Sequence, residues 1–290
     1  MSALAQLLGV PEPKSREPLE WPEGLPTHLS PSSLTLYARC REQWRERYVL
    51  GKKERPNVNM LWGSADSGAA EHNYRQKIQT EKDVPVEEVR EQFASTFDEF
   101  VEQAGGDGEV RWEKSGGHAT VKDRGVALAA AYHLTAAPRV QPIAVEERIE
   151  VSIPGVPIPV IGYPDVETAG TLIERKTSAR KFTTPAGNYL AQARIYQLGI
   201  AKPKPVHWHV STKTAQPAVY TPLEEPTLET AWSQHEMDVT ARWVRSTAEA
   251  IAADMGQFGP DREGPGAMAT RESPCSWCGF RDHGCPWWQS

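Results

Sequence analysis

The chain has 290 residues, enough to bury a substantial core in one large domain or in a core with an appended lobe. Its formal net charge of −6 argues against a protein that coats nucleic acid non-specifically, although local basic patches beside an acidic site are compatible with binding it. No apolar run approaches the roughly 18 residues of a membrane span, and residues 1–11 lack the basic start of a signal peptide, so we expect a cytoplasmic protein.

Composition divides the chain into four parts. Residues 1–28 contain five prolines and predict an extended lead-in. Residues 29–140 predict a helical region, and residues 141–255 predict an α/β core in which the period of apolar residues changes to two. Residues 256–290 begin as a linker rich in Gly and Pro and end in a cysteine cluster.

The helical region opens with a strong start signal. Ser30 followed by Pro31 predicts a helix that continues to about Tyr48. Cys40 lies one turn after Leu36 on this helix, so by itself it is interpreted as a buried core thiol.

Three further helices are predicted before the core. The first covers residues 60–78 and carries His72. A single histidine in a helix lies more often at the surface or in the core than in a metal site. The others cover residues 84–104 and 121–137. Aromatic and aliphatic side chains at helical spacing in the first of these predict core packing: Val89, Phe93, Phe97 and Phe100.

The core begins with strands. Residues 143–153 alternate between apolar and polar positions and predict one strand, whose Glu146 and Glu147 are interpreted as structural. Residues 161–168 and 171–177 predict two strands joined by a tight Ala169-Gly170 turn.

The register of this hairpin brings charges together. If Thr168 faces Thr171, Asp165 lies opposite Glu174, and like charges at about 5 Å across a sheet repel. A bound cation is the simplest reason to keep such a pair. Lys176 follows on the same face as Glu174, and two carboxylates with one ammonium suit metal-assisted hydrolysis of a phosphodiester.

A helix and a strand follow the hairpin. Thr184-Pro185 predicts a helix to about residue 200, on which Gln192 and Tyr196 share a face. Alternation in residues 206–210 predicts another strand, and a long outer helix is predicted for residues 225–255.

Three cysteines stand close together near the end of the chain. Cys275, Cys278 and Cys285 lie in a tail too short for a core of its own, which points to a metal. The fourth ligand is either His283, giving a local zinc knuckle, or Cys40, closing a cluster across the chain.

The hairpin resembles the PD-(D/E)XK nuclease motif, which is carried here by Pro164-Asp165 and Glu174-Arg175-Lys176. The Gly162-hydrophobic-x-Asp165 version is that of RecB-like exonucleases. The resemblance implies a restriction-endonuclease-like α/β fold, a mixed sheet flanked by helices, here with a helical lobe. Residues 84–137 match no motif of the family and are interpreted as that lobe.

Two further segments belong to the resemblance. Gly63 and His72 match the helix that carries a metal-binding His in RecB-like nucleases, and Gln192-x3-Tyr196 matches a pair that lies beside the catalytic residues. The resemblance therefore implies that Mg²⁺ or Mn²⁺ is bound by a set drawn from several elements: His72, Asp165, Glu174 and the Arg175 carbonyl. It implies catalytic roles for Asp165, Glu174, Lys176, Gln192 and Tyr196.

The cysteines resemble those of the iron-sulfur members of this class, which include AddB and the CRISPR-associated exonucleases. One N-terminal cysteine in the pattern Cys40-x3-Trp44-x3-Tyr48 precedes a C-terminal Cys-x2-Cys-x6-Cys run. This resemblance implies a 4Fe-4S cluster held by Cys40, Cys275, Cys278 and Cys285, in preference to zinc.

The function implied is a metal-dependent DNA exonuclease that acts from the ends of single-stranded DNA, without a helicase part. Trp44, Tyr48 or Trp62 are expected to stack on unpaired bases. Partner proteins from DNA recombination, repair or CRISPR systems are implied as well, and no membrane.

Two alternatives remain open at this point. One is a sequence- or structure-specific DNA endonuclease. The other is a non-cleaving nucleic-acid-binding adaptor, against which the complete Asp165, Glu174 and Lys176 set argues.

Overall fold

The helices carry most of the described chain. The structure is a computed structural model that describes residues 19–112, 115–178, 184–212, 229–230, 232–258, 275–276, 278–281 and 285. Most of the predicted lead-in and linker, the start of the predicted outer helix and His283 lie outside these residues. Seven α-helices lie in the described ranges: α1 Pro31–Arg39, α2 Arg41–Tyr48, α3 Val58–Thr80, α4 Val86–Gln103, α5 Gly117–Thr135, α6 Gly187–Gly199 and α7 Gln234–Phe258.

The helix predicted from Ser30 to Tyr48 is two helices, so the single-helix prediction is wrong. Its start is as predicted, because Ser30 and Ser33 form a reciprocal capping box. Cys40 interrupts it with extended backbone, φ −157° and ψ 108°, and serves as the last cap of α1 and the first cap of α2. The Cys40 side chain is half-buried at this break and does not lie in the core.

The strands form two sheets. A five-stranded mixed sheet has the order β1-β4-β5-β6-β7, in which β5 and β6 are parallel and the other pairs antiparallel. A two-stranded antiparallel sheet pairs β2 with β3. The bounds are β1 Ala144–Val145, β2 Ile149–Val151, β3 Val160–Gly162, β4 Val166–Glu167, β5 Leu172–Ser178, β6 Val206–Thr212 and β7 Glu229–Thr230.

Two predicted strands are divided between the two sheets. The predicted strand 143–153 breaks after β1, where Glu146 adopts φ +48°, a left-handed conformation that regular strands do not use. The predicted strand 161–168 breaks at Tyr163-Pro164, because proline has no N–H for a sheet. Both breaks face each other, since the Glu146 N–H donates to the Pro164 carbonyl at 3.2 Å.

Residues 84–137 form a helical lobe on α3, as predicted. Helices α4 and α5 pack there around Phe93 and Phe97, which are fully buried. Gly125 of α5 lies so close to Phe93 that an added Cβ would stand 2.0 Å from the ring, so only glycine permits this approach. The lobe and the mixed sheet flanked by helices agree with a restriction-endonuclease-like architecture.

The first helix and α7 pack together across almost the whole sequence. The Tyr37 hydroxyl of α1 donates to a carboxylate oxygen of Asp254 on α7, and Arg41 lies 3.2 Å from the same carboxylate. Leu34 and Val244 are fully buried in the shared core. Among the described helices, none is both long and apolar enough to cross a bilayer.

Candidate active site

The predicted hairpin register is confirmed. Val166 pairs with Ile173 and Glu167 with Leu172, so one step further along the same register sets Asp165 opposite Glu174. The Arg175 N–H donates to Asp165 Oδ2 at 2.6 Å, which fixes this carboxylate against β5.

The Glu174 side chain is fully buried, and its neighbours Asp165 and Lys176 have opposite effects on its pKa. Lys176 Nζ donates to Glu174 Oε2 at 2.9 Å, whereas Oε1 has no hydrogen-bond partner among the described residues. Burial raises the pKa of Glu174 and the Asp165 carboxylate raises it further, against the effect of Lys176. Burial alone would lower the pKa of Lys176, but Glu174 and Asp165 outweigh burial and raise it. Lys176 therefore stays charged.

Glu146, which the sequence analysis interprets as structural, lies beside this site, and its role stays a prediction. Glu146 directly follows β1, and its backbone N–H lies 3.3 Å from the Asp165 carbonyl. Burial and, to a smaller extent, the carboxylates of Asp165, Glu71 and Glu174 together raise the pKa of Glu146 to about 8. Glu147 is exposed.

A row of three carboxylates therefore lies beside the ends of β1 and β4 and on β5: Glu146, Asp165 and Glu174. The sequence contained a signal for the first of them, because two adjacent acidic residues follow a short apolar strand. That signal could be interpreted only after the break at Glu146 was known.

Helix α6 places Gln192 and Tyr196 beside this row. Gln192 Nε2 donates to the Tyr196 hydroxyl at 2.7 Å, and that hydroxyl donates to the Tyr163 carbonyl at 3.1 Å. The Tyr196 ring covers Gly162, where an added Cβ would stand 2.4 Å from a ring carbon. Burial raises the pKa of Tyr196, and Glu174 adds to the shift.

The comparison with protein families decides what this site belongs to. The model of the PD-(D/E)XK nuclease superfamily matches residues 28–285. The chain belongs to the PD-(D/E)XK nuclease superfamily. Membership implies nuclease activity on a nucleic acid, and such nucleases generally use divalent metals such as Mg²⁺ or Mn²⁺.

Comparisons with solved structures and with curated proteins give no further information on function. A solved structure titled "Crystal structure of SSO0001" is 14% identical, with a TM-score of 0.33, over 89% of this chain and 96% of that chain. No curated protein matches the sequence.

The donor set of the nuclease fits a divalent cation, although no group of three or more His, Cys, Asp or Glu side chains in the described ranges is arranged to hold one. Glu174 Oε1 is a buried anionic oxygen without a hydrogen-bond partner there. The Asp165 carboxylate raises the pKa of both Glu146 and Glu174, and a bound cation would relieve this repulsion. Hard cations prefer such oxygen ligands.

On α3 both the predicted ligand His72 and its neighbour Glu71 have partners outside the carboxylate row. His72 Nε2 lies 3.5 Å from Glu88 Oε2 on α4, and 40% of its side chain is exposed. Glu71 is the residue of α3 whose charge acts on Glu146. The predicted metal contact of His72 stays a prediction.

The Arg175 side chain lies on the opposite face of β5 from Glu174. Its Nη2 donates to Asp66 Oδ2 at 2.9 Å and its Nη1 to the Asp66 carbonyl at 3.0 Å, with the guanidinium 4.1 Å from the Tyr132 ring centre. This buried pair ties α3 to β5. The metal-binding role of the Arg175 carbonyl stays a prediction.

Cys40 from the first part of the chain lies near enough to Cys278 from the last part to affect its pKa. Burial and, to a smaller extent, Glu54, Cys40 and Cys285 together raise the pKa of Cys278 to about 11. Arg111 Nη1 donates to the Cys278 carbonyl at 3.3 Å. The break between α1 and α2 at Cys40 therefore lies near Cys278, close to the end of the chain.

Two aromatic residues expected to stack on bases do not reach solvent. Trp44 is fully buried against Tyr37 and Tyr48, and Trp62 is 6% exposed in the core of the lobe. Their predicted role in base stacking is wrong.

Proposed function

We propose that this nuclease is a metal-dependent DNA exonuclease that acts from the ends of single-stranded DNA. The observation that supports it most is the buried Glu174, which lies opposite Asp165 and 2.9 Å from Lys176 Nζ. Its Oε1 has no hydrogen-bond partner in the part of the chain that the structure describes. This is the Asp-Glu-Lys set of the superfamily on one face of one hairpin.

Asp165, Glu174 and the Arg175 carbonyl would hold Mg²⁺ or Mn²⁺, with Glu71 in preference to His72 as the contribution of α3. The ion supplies Lewis-acid polarisation of the phosphate and a lowered pKa for the attacking water. Lys176, whose pKa is raised, stays protonated and stabilises the negative charge that develops on the phosphate. Gln192 and Tyr196 hold the strand break at Tyr163 in position.

Action from ends is supported by the resemblance to RecB-like exonucleases and by the helical lobe, which packs on α3, the helix whose Glu71 acts on Glu146. The proposal extends to partner proteins of DNA recombination, repair or CRISPR systems, as in that class. A structure-specific endonuclease is the alternative with the same chemistry.

An iron-sulfur cluster is part of the proposal. Cys40, Cys275, Cys278 and Cys285 would hold 4Fe-4S, and the approach of Cys40 to Cys278 supports this set over a local zinc knuckle. Purified protein should be brown, and Cys40→Ser should bleach it and lower its melting temperature. His283→Ala should change neither. Colourless protein that contains zinc would remove the cluster from the proposal.

The activity is tested on three DNA substrates in buffer that contains Mg²⁺ or Mn²⁺. Two are linear and end-labelled, one single-stranded and one duplex, and the third is a single-stranded circle. The linear single strand should be shortened from an end while the circle resists. Equal rates on line and circle would establish an endonuclease, and no cleavage of any substrate would favour the adaptor.

A further inference from the structure

The two consecutive cations of strand β5 each have an aromatic ring beside them. On one face of the strand, the guanidinium carbon of Arg175 lies 4.1 Å from the ring centre of Tyr132. On the other face, the ammonium nitrogen of Lys176 lies 5.3 Å from the ring centre of Tyr189. A cation within about 6 Å of a ring centre is attracted by the negative face of the ring. Each cation therefore has an aromatic neighbour in addition to its carboxylate partner.

Helix α6 and strand β6 place the Tyr189 ring. Tyr189 is the third residue of α6, and its backbone N–H donates to the Ala186 carbonyl at 2.9 Å. Its ring packs against Trp208, with the ring centres 6.4 Å apart and the ring planes inclined by 33°. Trp208 is fully buried and is the register partner of Glu174, so both side chains lie on the same face of the sheet. A buried ring therefore fixes Tyr189 on the face that carries Glu174.

The Lys176 ammonium needs such a neighbour to keep one position. Its side chain is long and flexible, and 15% of it is exposed, so without restraint the ammonium extends toward water. The hydrogen bond to Glu174 at 2.9 Å uses one of the three N–H donors of the ammonium and leaves rotation about that bond possible. A contact on a second side removes this freedom, and Tyr189 supplies it.

An aromatic ring restrains the ammonium without neutralising it. A further carboxylate in the place of Tyr189 would cancel more of the positive charge that Lys176 offers to a phosphate. The face of a ring attracts a cation but carries no net charge. In the proposed mechanism Lys176 stabilises negative charge on the phosphate, so a neutral restraint fixes the ammonium and preserves its effect.

We propose that Tyr189 is a positioning residue, which holds the ammonium of Lys176 beside Glu174 and leaves its charge available to the substrate phosphate. The inference rests on the proposed nuclease function and adds a residue to it. Tyr189 acts through Lys176 and has no chemical step of its own.

Three variants separate the effect of the ring from that of the packing around it. Tyr189→Phe keeps the ring, whereas Tyr189→Leu keeps an apolar side chain and removes the aromatic face. Leu190→Ala is the matched control, because it removes apolar volume from the same core cluster and leaves the ring in place. Melting curves establish that each variant is folded.

The contact itself is measured by NMR on metal-free protein that contains isotope-labelled lysine. The ring current of Tyr189 shifts the ε-protons of Lys176, whose signal is identified as the one that Lys176→Ala lacks. Tyr189→Leu should move this signal toward the position of exposed lysines, and Tyr189→Phe and Leu190→Ala should leave it in place. A wild-type signal at the position of exposed lysines, or one that Tyr189→Leu does not move, overturns the proposal.

Cleavage of linear single-stranded DNA measures the consequence. Tyr189→Leu should lower kcat by about tenfold and leave KM within about twofold, since the ammonium acts as charge develops on the phosphate. Tyr189→Phe and Leu190→Ala should keep kcat within about twofold of wild type. Equal losses of kcat in Tyr189→Leu and Leu190→Ala would make Tyr189 a packing residue and overturn the proposal. If the NMR signals behave as expected but the wild type cuts no DNA, the nuclease proposal fails and the positioning of Lys176 by Tyr189 stands.

Discussion

The two faces of strand β5 both bury charge, but they balance it differently. On one face Arg175 meets the carboxylate of Asp66 at 2.9 Å, one cation against one anion. On the other face the ammonium of Lys176 stands between the carboxylates of Glu174 and Asp165, and the carboxylate of Glu146 lies close by. The face with balanced charges stabilises the fold. The face with an excess of anions has unneutralised charge that suits the binding of a metal cation, which in turn can bind a phosphate.

The largest effect should come from removing the one ammonium on the acidic face. Lys176→Ala should lower cleavage by about a hundredfold or more, because it removes charge stabilisation at the phosphate. Initial rates on linear single-stranded DNA measure this. Asp165→Ala and Glu174→Ala should do the same and also weaken binding of Mn²⁺. Activity within a few-fold of wild type would remove these residues from the mechanism.

The balanced face should respond in stability instead. Asp66→Asn leaves the Arg175 guanidinium buried without its counter-charge, at a cost of about 3–5 kcal/mol in the free energy of unfolding. Urea denaturation measures the loss. The double variant with Arg175→Gln should lose less than the sum of the two single losses, since the two residues are partners. Strict additivity would show that the pair does not act as a unit.

Two matched substitutions on α3 test whether Glu71 or His72 supports metal binding on the acidic face. Glu71→Gln should weaken Mn²⁺ binding by about tenfold, as expected for loss of a group that supports a metal site. His72→Gln should have a smaller effect, because its contact is with Glu88. Titration calorimetry compares the two, and a larger loss from His72→Gln would restore the ligand that the sequence predicted.

The smallest effect concerns pH. The pKa of Glu146 rises from 4.5 to about 8 on folding, so the native state holds its proton more tightly than the unfolded chain. The free energy of unfolding of metal-free protein should therefore fall as pH rises through this interval and then level off. Melting temperatures at about pH 5 and about pH 8 measure the slope, which Glu146→Gln should reduce. Identical slopes would contradict the shift.

The acidic face could be predicted from the sequence where its geometry is local. Asp165 and Glu174 are joined by a tight turn, so alternation and turn position were enough to place them opposite each other. Glu146 follows β1, nineteen positions before Asp165, and its approach to Asp165 could not be predicted because its own left-handed conformation interrupts the alternation.

The balanced face could not be predicted. Asp66 and Arg175 are 109 positions apart, and neither residue type at its place in the sequence indicates the other. The break at Cys40 was missed for a related reason: helical periodicity continues across it, and only packing against distant elements shows where the chain turns.

The contact between α1 and α7 has a consequence for synthesis on the ribosome. Tyr37 and Asp254 are 217 positions apart. At about 5–20 residues per second, Tyr37 waits on the order of 10–40 s for its partner to emerge. Helices α3, α4 and α5 are consecutive and find their packing partners at once. The lobe should therefore fold first during translation, while α1 keeps apolar surface exposed until the last long helix is made.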